Sequence, residues 1–99
     1  MGKFHDIELP GEDLIIKGLE DLSKGKESIE SLLVLIGAPR LRSLNIDIPK
    51  IELTDFPENL LYRMLAKADP ISAHRTMNSY IRRLVSFESA LEHLRRDSN

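Results

Sequence analysis

The sequence predicts an all-α fold, a small helical bundle of about four helices with a long C-terminal amphipathic helix. One observation behind this prediction is an apolar seam near the C-terminus, in which spacings of three and four residues alternate. A second observation is that several shorter segments, separated by Gly and Pro, have apolar residues at helical spacing. A third is that almost no segment alternates apolar and polar residues as a strand does. The seam consists of Met77, Tyr80, Leu84, Phe87, Leu91 and Leu94.

Composition indicates one globular domain with no strong overall electrostatic field. The 99 residues are 41% hydrophobic and 30% charged, and the formal net charge is -2. A chain of this length buries roughly 60 to 70% of its unfolded surface, which suffices for one core. Because the charge is nearly balanced, binding to nucleic acid or to an anionic membrane would require a local basic patch.

Cysteine is absent, which excludes disulfides, thiol catalysis and thiolate metal sites. No apolar run approaches the roughly 18 to 20 residues that cross a bilayer, and the N-terminus has no apolar region typical of a signal peptide. We therefore expect a cytoplasmic protein that does not bind membranes.

The chain is expected to divide into an extended N-terminal leader over 1–11 and a single helical domain over 12–99. A Pro-Gly turn ends the leader. The first helix is predicted over about 12–24, because apolar residues repeat at helical spacing from Ile15 and because Gly25 can end a helix.

A second helix is predicted from Glu27 or Ser28 to Gly37, and its high apolar content favours a central position. Pro39 disfavours helical geometry in the residue before it, so the chain should break or kink there and can start a short helix over 40–44. The inward residues of this short helix would be Leu41 and Leu44, and the outward ones Arg40 and Arg42.

Residues 45–53 are expected to form an extended connector, since Pro49 lacks the amide donor that a central strand needs. A third helix follows in one of two registers, either with Pro57 in the first turn or with Asp55 and Glu58 in a capping box. The apolar residues that would hold the connector against the domain are Ile46, Ile48, Ile51 and Leu53.

The third helix should end near Ala68, and the last helix should run over 71–96 with Asp69 as N-cap and Pro70 in the first turn. Such a helix is about 39 Å long, whereas a sphere of this mass is only about 33 Å across. The last turns should therefore either project into solvent or contact a second copy in a homodimer or another helical protein. The alternative, which does not exclude a dimer, is an intramolecular bundle of the chain's own helices. The interface residues would be Leu84, Phe87, Leu91 and Leu94.

Arginines provide a second candidate surface, on the polar face of the last helix and in the short helix after Pro39. Arginine binds phosphate bidentately, which favours a contact with an anion or with nucleic acid. The alternative is a solvated face with intrahelical ion pairs such as Glu92 with Arg96. The candidate contact residues are Arg40, Arg42, Arg75, Arg82, Arg83 and Arg96.

The sequence contains no pattern that indicates an enzyme, a cofactor or a metal site. His5, His74 and His93 lack a partner at metal-ligand spacing, and carboxylates such as Glu20 and Asp21 are expected on outer helix faces. We therefore expect a small soluble interaction module that self-associates through the C-terminal helix. The alternative is a helical domain that binds nucleic acid through its arginines.

Overall fold

The computed structural model describes residues 9–97 and shows an all-α bundle, with no strand over that range. The predicted fold class is thus confirmed. The second helix is central, because it packs against the first, the fourth and the fifth. The helices are α1 (Glu12–Ser23), α2 (Ile29–Ile36), α3 (Ala38–Ser43), α4 (Pro57–Ala68) and α5 (Ala73–Asp97).

The longest dimension of the protein is set by α5, whose 25 residues extend about 37 Å. The protein measures 44 by 26 by 20 Å, so only its longest axis can accommodate this helix. α5 begins at Ala73 rather than at the predicted position. The carboxylate of Asp69 instead accepts hydrogen bonds from the backbone N–H of Ile71 and the hydroxyl of Ser72, which forms a turn between α4 and α5.

The distal seam lies inside the chain's own core, which contradicts the predicted interface. Leu84, Phe87 and Leu91 are 3%, 0% and 6% exposed, and Leu94 is partly buried. The prediction assumed a spherical body, whereas the body is elongated and buries residues of α5 from Ala73 to Leu91. The three buried residues therefore cannot contact a second copy while the fold is intact.

The predicted leader is described only at its end, because residues 1–8 lie outside the described range. Leu9 is buried in the core. Its backbone N–H donates to the carboxylate of Glu12 at 2.8 Å, which attaches this part of the leader to the first turn of α1.

Glycines with positive φ flank both ends of α1. Gly11 has φ 75°, and a Cβ there would lie 2.6 Å from the carbonyl oxygen of Arg83, so α1 begins in close contact with α5. Gly25 has φ 68° and follows the end of α1 at Ser23, close to the predicted end. Both positions favour glycine because other residues are strained in the left-handed region.

α1 and α2 cross with their backbones in contact at Gly18. A Cβ on Gly18 would lie 2.4 Å from the carbonyl oxygen of Glu30 and 2.5 Å from Cγ2 of Val34. Both distances are too short for non-bonded atoms in a packed core, so this approach requires glycine. Val34 is fully buried at the crossing.

A buried carboxylate joins the end of α1 to the start of α2. Asp21 is 1% exposed and accepts hydrogen bonds from Nζ of Lys17 at 2.9 Å and from Oγ of Ser28 at 2.6 Å. These two bonds lower the pKa of Asp21. Ser28 is also the N-cap of α2 and forms a reciprocal capping box with Ser31. The expected outer-face position of Asp21 is therefore wrong, because its side chain meets the α2 cap.

The chain passes from α2 into α3 through Gly37, so the break lies one residue before the predicted position, and Ala38 is helical as the first residue of α3. As predicted, Leu41 and Leu44 are buried and Arg40 is exposed, whereas Arg42, also expected to point outward, is partly buried. α3 therefore covers one end of the core and presents a cation beside α5.

The segment between α3 and α4 contains no helix or strand, as predicted for 45–53. Ile48 is buried, but Ile51 is 42% exposed, so the expectation that Ile51 fixes the connector is wrong. Arg42 holds this segment instead, because its guanidinium donates to the carbonyl oxygen of Ile48 at 3.1 Å and to that of Pro49 at 3.2 Å.

α4 begins at Pro57 with Phe56 at the N-cap, which decides between the two predicted registers. The alternative capping box of Asp55 with Glu58 does not form. The Asp55 carboxylate instead accepts from the backbone N–H of Phe56 at 2.7 Å and from the side-chain amide of Asn59 at 3.2 Å.

Substitution of Gly18 tests the α1–α2 crossing. Gly18→Ala should lower the free energy of unfolding by about 1 to 3 kcal/mol, because the added methyl group overpacks the contact with Glu30 and outweighs the better helix propensity of alanine. Urea unfolding followed by circular dichroism measures this change. The control Glu20→Ala, at an exposed position of α1, should stay within about 0.5 kcal/mol. A Gly18→Ala protein as stable as the wild type would contradict the close crossing.

Candidate functional site

Two of the candidate arginines belong to an ion-pair cluster that joins α3 to α5. Nη2 of Arg40 lies 2.6 Å from Oε1 of Glu92, and Nη1 of Arg40 lies 3.6 Å from Oε1 of Glu88. Nη2 of Arg96 lies 3.0 Å from the other oxygen of Glu92. The cations are thus already neutralised within the chain and are poorly placed to bind an external anion.

The remaining candidate on α3 faces a different part of the molecule. Arg42 donates to carbonyl oxygens of the connector, whereas Arg40 reaches α5. The two guanidinium groups therefore do not form the joint anion site that the sequence predicts.

Of the four candidate arginines on α5, two remain as exposed cations that could bind an anion. Arg75 and Arg82 are exposed and make no ion pair with another residue of the described range 9–97. Arg83 lies 3.8 Å from the carboxylate of Asp13, which is a weak and exposed contact. Residues 70–87 contain no Asp or Glu, so the local charge on this part of α5 is positive.

Glu88 is a buried carboxylate that the sequence did not distinguish from its exposed neighbours. It is 4% exposed, and a Cβ on Gly37 would lie 2.8 Å from its Oε2. Burial raises the pKa of Glu88, and the positive charge of Arg40 opposes that rise. In contrast, the Arg40 hydrogen bond lowers the pKa of the more exposed Glu92.

An apolar groove lies between the α1–α2 loop and the start of α4. We call it the connector groove. One part is a half-enclosed cavity of about 80 Å³, and the other is a shallow depression that ends at Asp55 and Pro57. Ile51 and Leu53 line both parts and make them continuous. The apolar residues of the connector groove are Leu22, Leu32, Leu35, Ile51, Leu53 and Phe56.

Phe56 is 72% exposed at one end of the connector groove, and the local sequence accounts for its position. A residue before proline is restricted to extended conformations, and Phe56 has φ -62° and ψ 142° ahead of Pro57. The Asp55 carboxylate holds the backbone N–H of Phe56, and this bond is the main reason that the pKa of Asp55 is lowered. The sequence suggested only a helix start here and gave no sign that the ring is exposed.

Other exposed apolar side chains lie outside the connector groove and do not line a cavity with it. Ile71 is 92% exposed in the α4–α5 turn, and Val85 is 45% exposed on α5. Tyr62 is 39% exposed. Its ring contacts the ring of His74 in an edge-to-face arrangement, with the ring centroids 6.2 Å apart. Single exposed apolar residues are common on protein surfaces, so these do not indicate a site.

Within residues 9–97, no group of His, Asp and Glu side chains is arranged to hold a metal ion. His74 and His93 are exposed, and His5 lies outside the described residues. No helix of that same range has both the length and the apolar character needed to span a membrane.

Comparison with known proteins gives no family assignment. No protein-family model matches the chain, and neither does any of the curated proteins or solved structures compared with it. The basis for a function is therefore the chain's own surface, where the connector groove combines a half-enclosed apolar cavity with an exposed aromatic ring.

Replacing each carboxylate that faces Arg40 should change the pH dependence of stability in opposite directions. Because the folded pKa of Glu88 is raised, the wild type loses stability as pH rises above the usual glutamate value of 4.5, and Glu88→Gln removes this loss. Because the folded pKa of Glu92 is lowered, the wild type loses stability as pH falls below 4.5, and Glu92→Gln removes that loss.

The stability of Glu88→Gln relative to the wild type should therefore improve between about pH 3 and pH 7, while that of Glu92→Gln should worsen. Urea unfolding at several pH values measures both trends, and each variant serves as the control for the other. Trends of the same sign would contradict the different environments of the two carboxylates.

Proposed function

We propose that the protein is a small helical protein–protein interaction module that binds through the connector groove. The observation that supports this is the 72% exposure of Phe56 beside a half-enclosed apolar cavity. Full burial of a phenylalanine side chain contributes about 1.5 to 3 kcal/mol, and aromatic anchors next to pockets dominate protein interfaces. The cytoplasmic location and the self-association expected from the sequence belong to this proposal.

The proposed contact surface differs from the one that the sequence suggests. Leu84, Phe87 and Leu91 are already buried within the chain, so a partner would have to open the fold to reach them. The connector groove needs no such opening, because Ile51 and Phe56 are exposed in the folded chain. The proposal therefore keeps the interaction function and moves its site from α5 to the connector.

A photoreactive side chain at position 56 tests the proposed function. Phe56→p-benzoyl-phenylalanine in the full-length protein, irradiated in cells, should yield one discrete cross-linked product. The same product should disappear when Ile51→Glu is added, since a carboxylate at the centre of an apolar contact is costly to bury. The matched control is Ile71→p-benzoyl-phenylalanine, which places the group at a more exposed position outside the groove. Equal cross-linking from position 71, or none from position 56, would contradict the proposal.

Nucleic-acid binding is a second candidate function. It is favoured by the positive charge on the first half of α5, which contains arginines but no Asp or Glu. Arg75 and Arg82 are exposed without an ion-pair partner among the described residues, and Arg83 is only weakly engaged. Two phosphate contacts predict a log–log salt slope of about -1.8 on duplex DNA, and three predict about -2.7.

Fluorescence anisotropy with a labelled duplex measures this slope. The combined substitution Arg75→Ala and Arg82→Ala should remove binding, whereas Arg96→Ala should not, because Arg96 pairs with Glu92. Absence of binding by the wild type at about 50 mM salt would dismiss this candidate.

A further inference from the structure

We infer that the connector groove binds an extended peptide segment of a partner protein, which pairs as a β-strand with residues 50–53. The partner segment runs antiparallel to the connector and carries small branched aliphatic side chains on its groove side. The inference rests on the proposed function, since it specifies the chemistry of the partner at the same site.

The backbone of residues 50–53 is available for pairing. Within the described range 9–97, no backbone N–H or carbonyl group of these four residues forms a hydrogen bond with another group of the chain. The preceding carbonyl groups of Ile48 and Pro49 differ, because Arg42 donates to both. Residues 50–53 also contain no turn or bend. An extended segment with unpaired backbone groups is a template on which another strand can pair.

The side chains of residues 50–53 alternate as they do in a strand. Ile51 and Leu53 line the groove, whereas Lys50 and Glu52 are exposed and line no part of it. Backbone hydrogen bonds of a strand are directed sideways, perpendicular to its side chains. The half-enclosed cavity lies between this segment and the α1–α2 loop. A strand paired on that side therefore lies over the cavity and directs every second side chain into it.

The cavity determines which side chain can enter. Its volume is about 80 Å³, roughly half that of a cavity that binds benzene, so a small branched aliphatic side chain fits better than an aromatic ring. The lining is mainly apolar, and its hydroxyl, that of Ser31, is already used in the α2 capping box. The charges of Lys26 and Glu27 cancel at the rim. A charged side chain would thus lose its hydration without meeting a net opposite charge.

The charges that flank Ile51 determine the direction of the partner segment. In an antiparallel pair, the residue opposite Glu52 precedes the residue opposite Lys50. Unlike charges across the pair stabilise it, so the partner needs a basic, an aliphatic and an acidic residue in that order. The expected pattern is Val-Lys-Val-Glu, with both valines on the groove side. The N-terminal end of the segment then lies toward the exposed ring of Phe56.

The connector of a folded second copy cannot supply this segment. Its Ile51 and Leu53 already line the groove of their own chain, so they cannot enter the cavity of another copy. A free extended segment has no such constraint. Self-association of folded chains therefore needs a surface other than this groove.

Titration of the isotope-labelled full chain with the capped peptide Thr-Val-Lys-Val-Glu-Thr tests this inference by NMR. Saturable shifts should centre on the amides of residues 50–53, and these amides should exchange with solvent more slowly because they are then hydrogen-bonded. Methylation of one alternating set of peptide nitrogens should weaken binding roughly tenfold or more, since those N–H groups face the connector. Methylation of the other set is the matched control and should have little effect.

Reversal of charge tests the direction of the segment. The peptide Thr-Val-Glu-Val-Lys-Thr should bind the wild type roughly threefold or more weakly, because like charges then face each other. The double variant Lys50→Glu with Glu52→Lys should reverse this preference. Both positions are exposed, so the variant should remain folded, and circular dichroism checks this. Replacing both valines of the peptide by alanine or by phenylalanine should weaken binding, because the cavity is then left unfilled or is too small.

Some outcomes would overturn the inference. They are an absence of shifts at residues 50–53 with about 1 mM peptide, equal effects of the two methylated sets, and the same charge preference in the wild type and the double variant. Any of these results, together with a cross-linked partner at position 56, would overturn the extended-segment assignment and leave the proposed function standing. Absence of both peptide binding and a product from position 56 would overturn both.

Discussion

The rest of the structure depends on the packing of the α5 seam inside the chain's own core. Phe87 is fully buried and Leu91 nearly so, which leaves these two side chains unavailable for other contacts. α5 fits only along the 44 Å axis, and α1, α2 and α4 pack against it. Exposed apolar side chains lie instead along the connector groove, in the segment between α3 and α4.

Close contacts at two glycines hold the central helix α2 in this arrangement. At Gly18, α1 contacts the carbonyl of Glu30, and at Gly37 the end of α2 meets Leu84 and Glu88 of α5. Buried carboxylates lie near both contacts, and each is paired with a cation: Asp21 pairs with Lys17, and Glu88 lies within 3.6 Å of Arg40. Pairing matters because a buried charge without a partner is strongly destabilising.

Helical periodicity and Gly or Pro signals predicted much of the fold. The ends of α1, the end of α2 at Gly37, and the inward positions of Leu41 and Leu44 all follow from local patterns. The sequence did not indicate which elements cover a given face. Leu91 was expected to be exposed because the body was taken as a sphere, and the buried position of Asp21 depends on a serine cap seven residues away.

The candidate site was harder to predict than the fold. The intrahelical pair of Glu92 with Arg96, considered as an alternative, is present, but the bond from Arg40 to Glu92 spans 52 residues and has no local pattern. The exposure of Phe56 likewise has no local pattern. A Phe-Pro pair at a helix start is compatible with either a buried or an exposed ring.

Hydroxyl-radical footprinting of the chain with and without the Val-Lys-Val-Glu peptide tests most directly whether the seam is internal and the connector groove is the contact surface. Phe87 and Leu91 should be protected in both samples, whereas Phe56 and Ile51 should be oxidised readily in the free chain and Ile51 should be protected by the peptide. The reverse pattern, with Phe87 and Leu91 reactive in the free chain and protected by the peptide, would contradict this account and return the interface to α5.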